Sequence, residues 1–281
     1  MEQLYKKNFR FFKKKGEITK KEFNEELPIS GFTENRISIP LIEVLSDSQL
    51  QKLNNILNWN AFVADSSGRR FGNRAWKGKR ETPQEIPDYR HVILQKKIPL
   101  ENKHILEIGC FEGIHTISLC QLAAKVTAID SRLDNVVKTL VRCGFFDCHP
   151  TVFVCNVEEW EYQIPRLKAD LCHHFGVLYH LKEPVKHIQE LSTIVKDGIY
   201  LDTHIARDTD ELVEFTYENN PYSYFRFKEG ESAFAGMYDH AKWLTLESLQ
   251  NAFKNYGFSN FQLLERREER NGSRILALIL R

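Results

Sequence analysis

Between residues 101 and 208, short apolar runs alternate with helical patterns, and few architectures accept that alternation. "HILEIG" (104–109), "KVTAIDS" (125–131), "TVFVCNV" (151–157), "ADLCHHFGVL" (169–178) and "GIYLDTHI" (198–205) read as buried strands. "IHTISLCQLA", "LDNVVKTLVRCGF" and "PVKHIQELSTIV" between them read as helices. Strands that are apolar throughout, separated by helices, predict an α/β fold whose parallel sheet is covered on both faces. "LTLESLQNAFKNYGF" (244–258) adds an amphipathic helix. "NFQLLERREERNGSRILALILR" (260–281) reads as two strands joined at Asn271-Gly272, a strong hairpin turn signal. The sheet is therefore expected to close with an antiparallel strand.

The rest of the chain lacks this rhythm. Residues 1–100 read as an N-terminal extension, helical or loop, acting as a lid or touching substrate; 101–281 read as the main domain. The best helix of the extension is 46–59, where Ser46 can cap and Leu50, Leu53, Ile56 and Leu57 share a face. "DSSGRRFGNRAWKGKRETPQEIPDYR" (65–90) has a loop composition. Residues 209–243 read as an aromatic-rich insertion capping the site.

Composition sets outer limits. Of 281 residues, 42% are apolar and 27% charged, which suits a packed core rather than disorder. Lys plus Arg number 39 against 38 Asp plus Glu, so bulk charge selects no polyanionic partner. The six cysteines form no C-x-x-C pair and are read as free thiols, with no metal site expected. The basic N-terminus lacks an apolar segment and no run of about eighteen apolar residues occurs, so a cytoplasmic protein with no membrane span is expected.

The turn after the first strand carries the chemistry. Glu107, Gly109 and Gly113 surround a strand-to-helix bend where backbone can lie close to a ligand. The G-x-G-x-x-G spacing of a dinucleotide site is absent. A carboxylate in the turn repels a pyrophosphate and welcomes a cation, which points to S-adenosyl-L-methionine. Asp130, ending the second strand, is placed to accept from ribose hydroxyls. Asn156, Val157 and Glu158, ending the third, suit an adenine edge. Phe175 closes the fourth strand beside them. Methyl transfer to a hydroxyl needs a base, and histidines crowd the ends of strands four and five; His204, His180 and His174 are the candidates. Tyr238, His240 and Trp243 of the insertion are the candidate substrate contacts.

Together these residues resemble the class I S-adenosylmethionine-dependent methyltransferases, with Phe111 standing where that family often has a middle glycine. The resemblance implies a Rossmann-like fold with a mostly parallel seven-stranded sheet. "GVLYH" (176–180) is similar to the bacterial wobble-uridine carboxymethyltransferases of tRNA. That resemblance implies an alternative cofactor, carboxy-S-adenosyl-L-methionine, whose extra carboxylate is held by a Lys, a Tyr and an Arg; Lys77, Tyr179 and Arg274 occupy matching places. The expected acceptor is a small molecule or sugar-containing glycan. tRNA is the alternative, suggested by the six basic residues of "RRFGNRAWKGKR" (69–80).

Overall fold

A computed structural model describes residues 29–72, 81–160, 166–232 and 234–281. Its centre is a seven-stranded sheet of β3 (His104–Ile108), β4 (Lys125–Asp130), β5 (Thr151–Val154), β6 (Ala169–Phe175), β7 (Val195–His204), β11 (Asn260–Glu269) and β12 (Gly272–Leu280). The order is β11-β12-β7-β6-β3-β4-β5. β3 to β7 run parallel, and β12 is antiparallel to both neighbours, as the sequence predicts. Glu269 pairs with Gly272, so Arg270-Asn271 is the two-residue loop of the terminal hairpin.

Strand pleating divides the core. Leu106, Cys172, Ile199 and Ala277 join one apolar cluster with residues of α6 (Pro184–Ile194) and α7 (Leu246–Asn255). Their neighbours Ile105, Leu171, Tyr200 and Leu278 join a second cluster with Leu94 of α3 (Tyr89–Lys97) and Leu119 of α4 (Ile114–Leu122). Successive side chains face opposite ways, so both sheet faces bury apolar surface. α5 (Leu133–Phe145) follows β4, and its polar-to-apolar stripe packs beside α4.

The extension holds more regular structure than its composition announces. α2 (Asp47–Ile56) is closed by a capping box in which Ser46 and Gln49 satisfy each other's backbone N–H. A short α1 (Pro40–Glu43) precedes it, and β1 (Val63–Ala64) pairs with β2 (Arg70–Phe71). Ile39, Leu50, Trp59 and Phe71 form a third cluster against Ile114, Val141 and Phe145 of the α4–α5 layer. The fully buried Glu112 fastens that seam: its carboxylate accepts from the N–H of Asn60 and Ala61 at 2.7 and 2.9 Å and from Lys138 Nζ at 3.2 Å. Arg142 crosses the same seam to the carbonyls of Phe71 and Ala61. Basic residues Arg69 and Arg70 belong to this packing. Arg69 binds Asp65 and three carbonyls, and Arg70 is 1% exposed.

The insertion carries regular structure that its composition did not announce. β8 (Leu212–Tyr217), β9 (Asn220–Lys228) and β10 (His240–Leu244) form an antiparallel sheet in the order β10-β9-β8. The tight turn at Glu218-Asn219, both at positive φ, closes its first hairpin.

Candidate active site

The carboxyl ends of β3, β4, β5 and β6 open into a cleft of about 750 Å³. Gly109 has φ +78°, and a Cβ there would stand 2.3 Å from Val177 Cγ2. The bend therefore brings bare backbone to the floor of the cleft, where a bulkier residue has no room. Phe111 takes φ +51°, the left-handed conformation that glycine usually supplies, and its ring reaches Phe234 of the insertion at 5.3 Å. Asp130 anchors this loop. Its carboxylate accepts from Phe111 N–H, Arg132 N–H and Asn135 at 2.9–3.0 Å and still lines the cleft. Burial raises its pKa against those hydrogen bonds.

Of the candidate cofactor residues, Gly109, Asp130, Asn156, Val157, Glu158, Phe175, Tyr179 and Arg274 all line this one cleft. Glu158 is half committed, accepting from Lys182 N–H at 2.7 Å. Glu107 does not line it. The side chain is 1% exposed beneath the bend and accepts from Thr116 Oγ1 at 2.6 Å. Burial pushes its pKa up to about 8, so at neutral pH it is a protonated acid rather than the charge that meets a cation. Gly113 also lies away from the cleft; at φ +81° it starts α4, with Thr139 3.2 Å from any added Cβ. Lys77 lies outside the described residues.

The histidines divide by strand parity. His174 faces the α6 side, fully buried, with its Nε2 2.9 Å from Nε2 of His187. His204 is buried behind Tyr179, its ring stacked on Trp243 at 4.7 Å and its Nδ1 3.1 Å from Ser273 O. Burial, then Arg274, lowers its pKa to about 4. Neither reaches the cleft. His180 does, from the short 3₁₀ turn Leu178–His180, with its Nδ1 2.7 Å from Glu229 Oε1.

The expected substrate contacts are likewise displaced. Trp243 is buried against Phe227 and Gly272, Tyr238 reaches outward to Glu159, and His240 pairs with Asp239. The insertion instead presents Phe234, Ala235, Gly236 and Met237 to the cleft.

One wall extends well beyond the expected Arg274. Asp202 is fully buried and accepts from Arg90, Arg267 and Arg274, all of which line the cleft. Burial alone would raise its pKa, but the three guanidiniums hold it down at about 2. Asp88 caps α3 and grips Arg90, whose guanidinium lies 4.5 Å over the Phe175 ring. The signal for this wall was Asp88 as an N-cap ahead of an apolar helix, hidden in a stretch rich in turn residues.

His91, His115 and His173 meet beside Arg90, with donor nitrogens all within 4.8 Å of one another. Local spacing did not announce this set, because it comes from α3, α4 and β6. Burial drives His91 to about 4 and His115 to about 3, so the imidazoles are neutral. Arg90 Nη2 contacts His115 Nε2 at 3.4 Å, and none of the three Nδ1 atoms has an acceptor to orient it as a metal ligand requires. The donor set suits a cation less well than it suits packed neutral rings.

With this geometry in place, comparison with known proteins is direct. A family model described as "Methyltransferase domain" matches residues 79–263. The chain belongs to this methyltransferase family. A tRNA U34 carboxymethyltransferase of Shewanella pealeana is 30% identical over 179 residues, 60% of this chain and 50% of the relative. The corresponding enzyme of Shewanella loihica is 29% identical over 189 residues, 63% and 52%. The chain spans about half the length of these curated relatives. Among solved structures, the N-terminal domain of EvdMO1, described with SAH and D-fucose, superposes with TM-score 0.65 at 23% identity. That match covers 83% of this chain and 94% of that one, a likeness of fold. No helix among the described residues is long and apolar enough to cross a membrane.

Proposed function

We propose that the protein transfers a methyl group from S-adenosyl-L-methionine to a hydroxyl of a small, sugar-containing acceptor. The observation that carries this reading is one cleft lined together by the Gly109–Phe111 bend, Asp130 and His180. The fit to the cofactor is physical. The bend offers backbone without side chain, Asp130 retains acceptor capacity for ribose hydroxyls, and Asn156 and Val157 line the same cleft with groups that suit an adenine edge. When bound, the cofactor supplies a sulfonium methyl as electrophile. The protein's work is then to hold the acceptor in line and take its proton, which falls to His180. Phe111 and Phe234 meet ring to ring at the edge of the cleft.

A small acceptor is favoured because the one cleft of about 750 Å³ would have to hold cofactor and acceptor together. EvdMO1, a fold neighbour, is described in the presence of D-fucose. The basic run proposed for nucleic acid loses Arg69 and Arg70 to internal packing.

A second reading, a tRNA enzyme using the carboxylated cofactor, draws on the relatives and on Tyr179 and Arg274. Both flank Gly176, where an added Cβ would stand 3.9 Å from Tyr179 OH and from Arg274 Nη2. Arg274 already pairs with Asp202 and Glu269, which weakens its hold on a second carboxylate. Mass spectrometry of nucleoside retained by purified protein, followed by methyl transfer to a panel of deoxyhexosides and to bulk tRNA, tests both. Retained S-adenosylmethionine or its demethylated product with a labelled sugar supports the first reading. A carboxylated mass with labelled tRNA replaces it with the second.

A further inference from the structure

Glu229 is a carboxylate in a place where only a partner justifies it. It sits just past β9, in the insertion, with its side chain 2% exposed. Burying an ionised carboxylate is costly unless both oxygens are engaged. Here Oε1 is 2.7 Å from His180 Nδ1 and Oε2 accepts from Gly236 N–H at 2.9 Å. Gly236 is pressed onto the same histidine: a Cβ at 236 would lie 2.6 Å from the His180 carbonyl oxygen. The insertion is also fixed to this turn through Lys242 N–H, which donates to Leu181 O at 3.0 Å.

The geometry points to Glu229 as the positioning residue for His180, so that the insertion supplies half of a carboxylate–imidazole pair rather than only a cover. This rests on His180 being the base proposed above. A carboxylate acceptor at Nδ1 fixes the tautomer with hydrogen on Nδ1 and leaves Nε2 as a bare acceptor for a hydroxyl. As the acceptor oxygen bonds to the methyl carbon, its proton passes to Nε2. The carbon–sulfur electron pair stays on sulfur, which becomes a neutral thioether. The imidazolium then carries the positive charge and lies against the Glu229 carboxylate, which stabilises it without taking its proton. Because Gly236 shares that carboxylate with His180, the Phe234–Met237 wall and the base are set by one side chain. An insertion pulled out of place would leave His180 free to rotate.

The test reads the imidazole itself. In full-length protein, ¹⁵N-labelled histidine and a His180→Gln control identify the ring signals of residue 180 by NMR. The expected result is an Nδ1–H tautomer in the wild type and loss of that preference in Glu229→Gln, with fold and calorimetric affinity for S-adenosylhomocysteine unchanged. Diethyl pyrocarbonate should carbethoxylate the His180 imidazole several-fold faster in the wild type than in Glu229→Ala. With any acceptor from the sugar panel that is methylated, kcat should fall on the order of 10²-fold in Glu229→Ala. Glu229→Asp should recover part of it. An unchanged tautomer and unchanged labelling rate in Glu229→Gln and Glu229→Ala overturn the inference while leaving the methyltransferase reading intact. Failure of the wild type to bind S-adenosylhomocysteine would instead remove the reading beneath it.

Discussion

Phe111, in the bend after the first parallel strand, meets Phe234 of the insertion ring to ring at 5.3 Å, so two distant segments share one roof over the cleft. Phe234→Ala should raise KM for the acceptor about tenfold and change calorimetric affinity for S-adenosylhomocysteine little. Phe111→Gly should still fold, because glycine occupies φ +51° without strain. The comparison of the two variants separates the roof's two contributors.

Gly109→Ala should abolish measurable cofactor binding. Its methyl would enter the van der Waals shell of Val177 Cγ2 at 2.3 Å, and alanine resists φ +78°. A cost of about 1–3 kcal/mol is expected in thermal or denaturant unfolding. Val177→Ala in the same chain should recover stability in part, since it relieves the collision and leaves the backbone strain.

Glu107 makes stability fall as pH rises. Its folded pKa of about 8 lies above the unfolded value near 4.5, so between those values the folded state holds the extra proton. The group's contribution is full below about pH 4.5 and is lost as pH passes 8. Glu107→Gln should be more stable than the wild type at pH 8.5 and should flatten the slope between pH 5 and 8.

The buried histidines act in the opposite direction. His91, His174 and His204, each lowered to about 4 by burial, are neutral when folded. Unfolded histidines take up protons below about pH 6.5, so the folded state loses ground steadily from there to pH 4. Melting temperature measured across that range should drop, and the drop should shrink in His174→Gln.

Asp202 accepts from three guanidiniums at one end of the cleft, with Asp88 and Glu269 as further acidic partners of the same arginines. Asp202→Asn should cost about 1–3 kcal/mol, since Arg90 keeps Asp88 and Arg267 and Arg274 keep Glu269. Arg267→Gln, which removes one of three partners, should cost much less. Urea midpoints of both variants provide the check.

The sheet and its order of elements were readable because each parallel strand is apolar along its length. α5 spans Leu133–Phe145, the same residues its periodicity marked. The terminal hairpin was readable from Asn271-Gly272, but its two loop residues are Arg270 and Asn271, and Gly272 opens β12. The insertion was not, because its strands carry alternation on a half-exposed sheet, and Leu212, Glu214 and Thr216 offer no apolar run. Histidine placement was the clearest loss. His173 and His174 are neighbours in one strand, so pleating sends them to opposite faces. That rule alone forbade both from reaching one rim, and chemical suggestiveness obscured it. Arg90 and Glu229 escaped because their importance comes from partners more than forty residues away.

The Glu112 seam bears on how this chain can be divided. A fragment starting at residue 101 would keep Glu112, Lys138 and Arg142 but lose the backbone of Asn60, Ala61 and Phe71 that receives them. It would also bare the side of α4 and α5 that Trp59 and Phe71 cover. Deletion or domain-swapping across that join should therefore yield aggregates rather than a minimal catalytic unit, and the two stretches are expected to travel through evolution as one heritable piece.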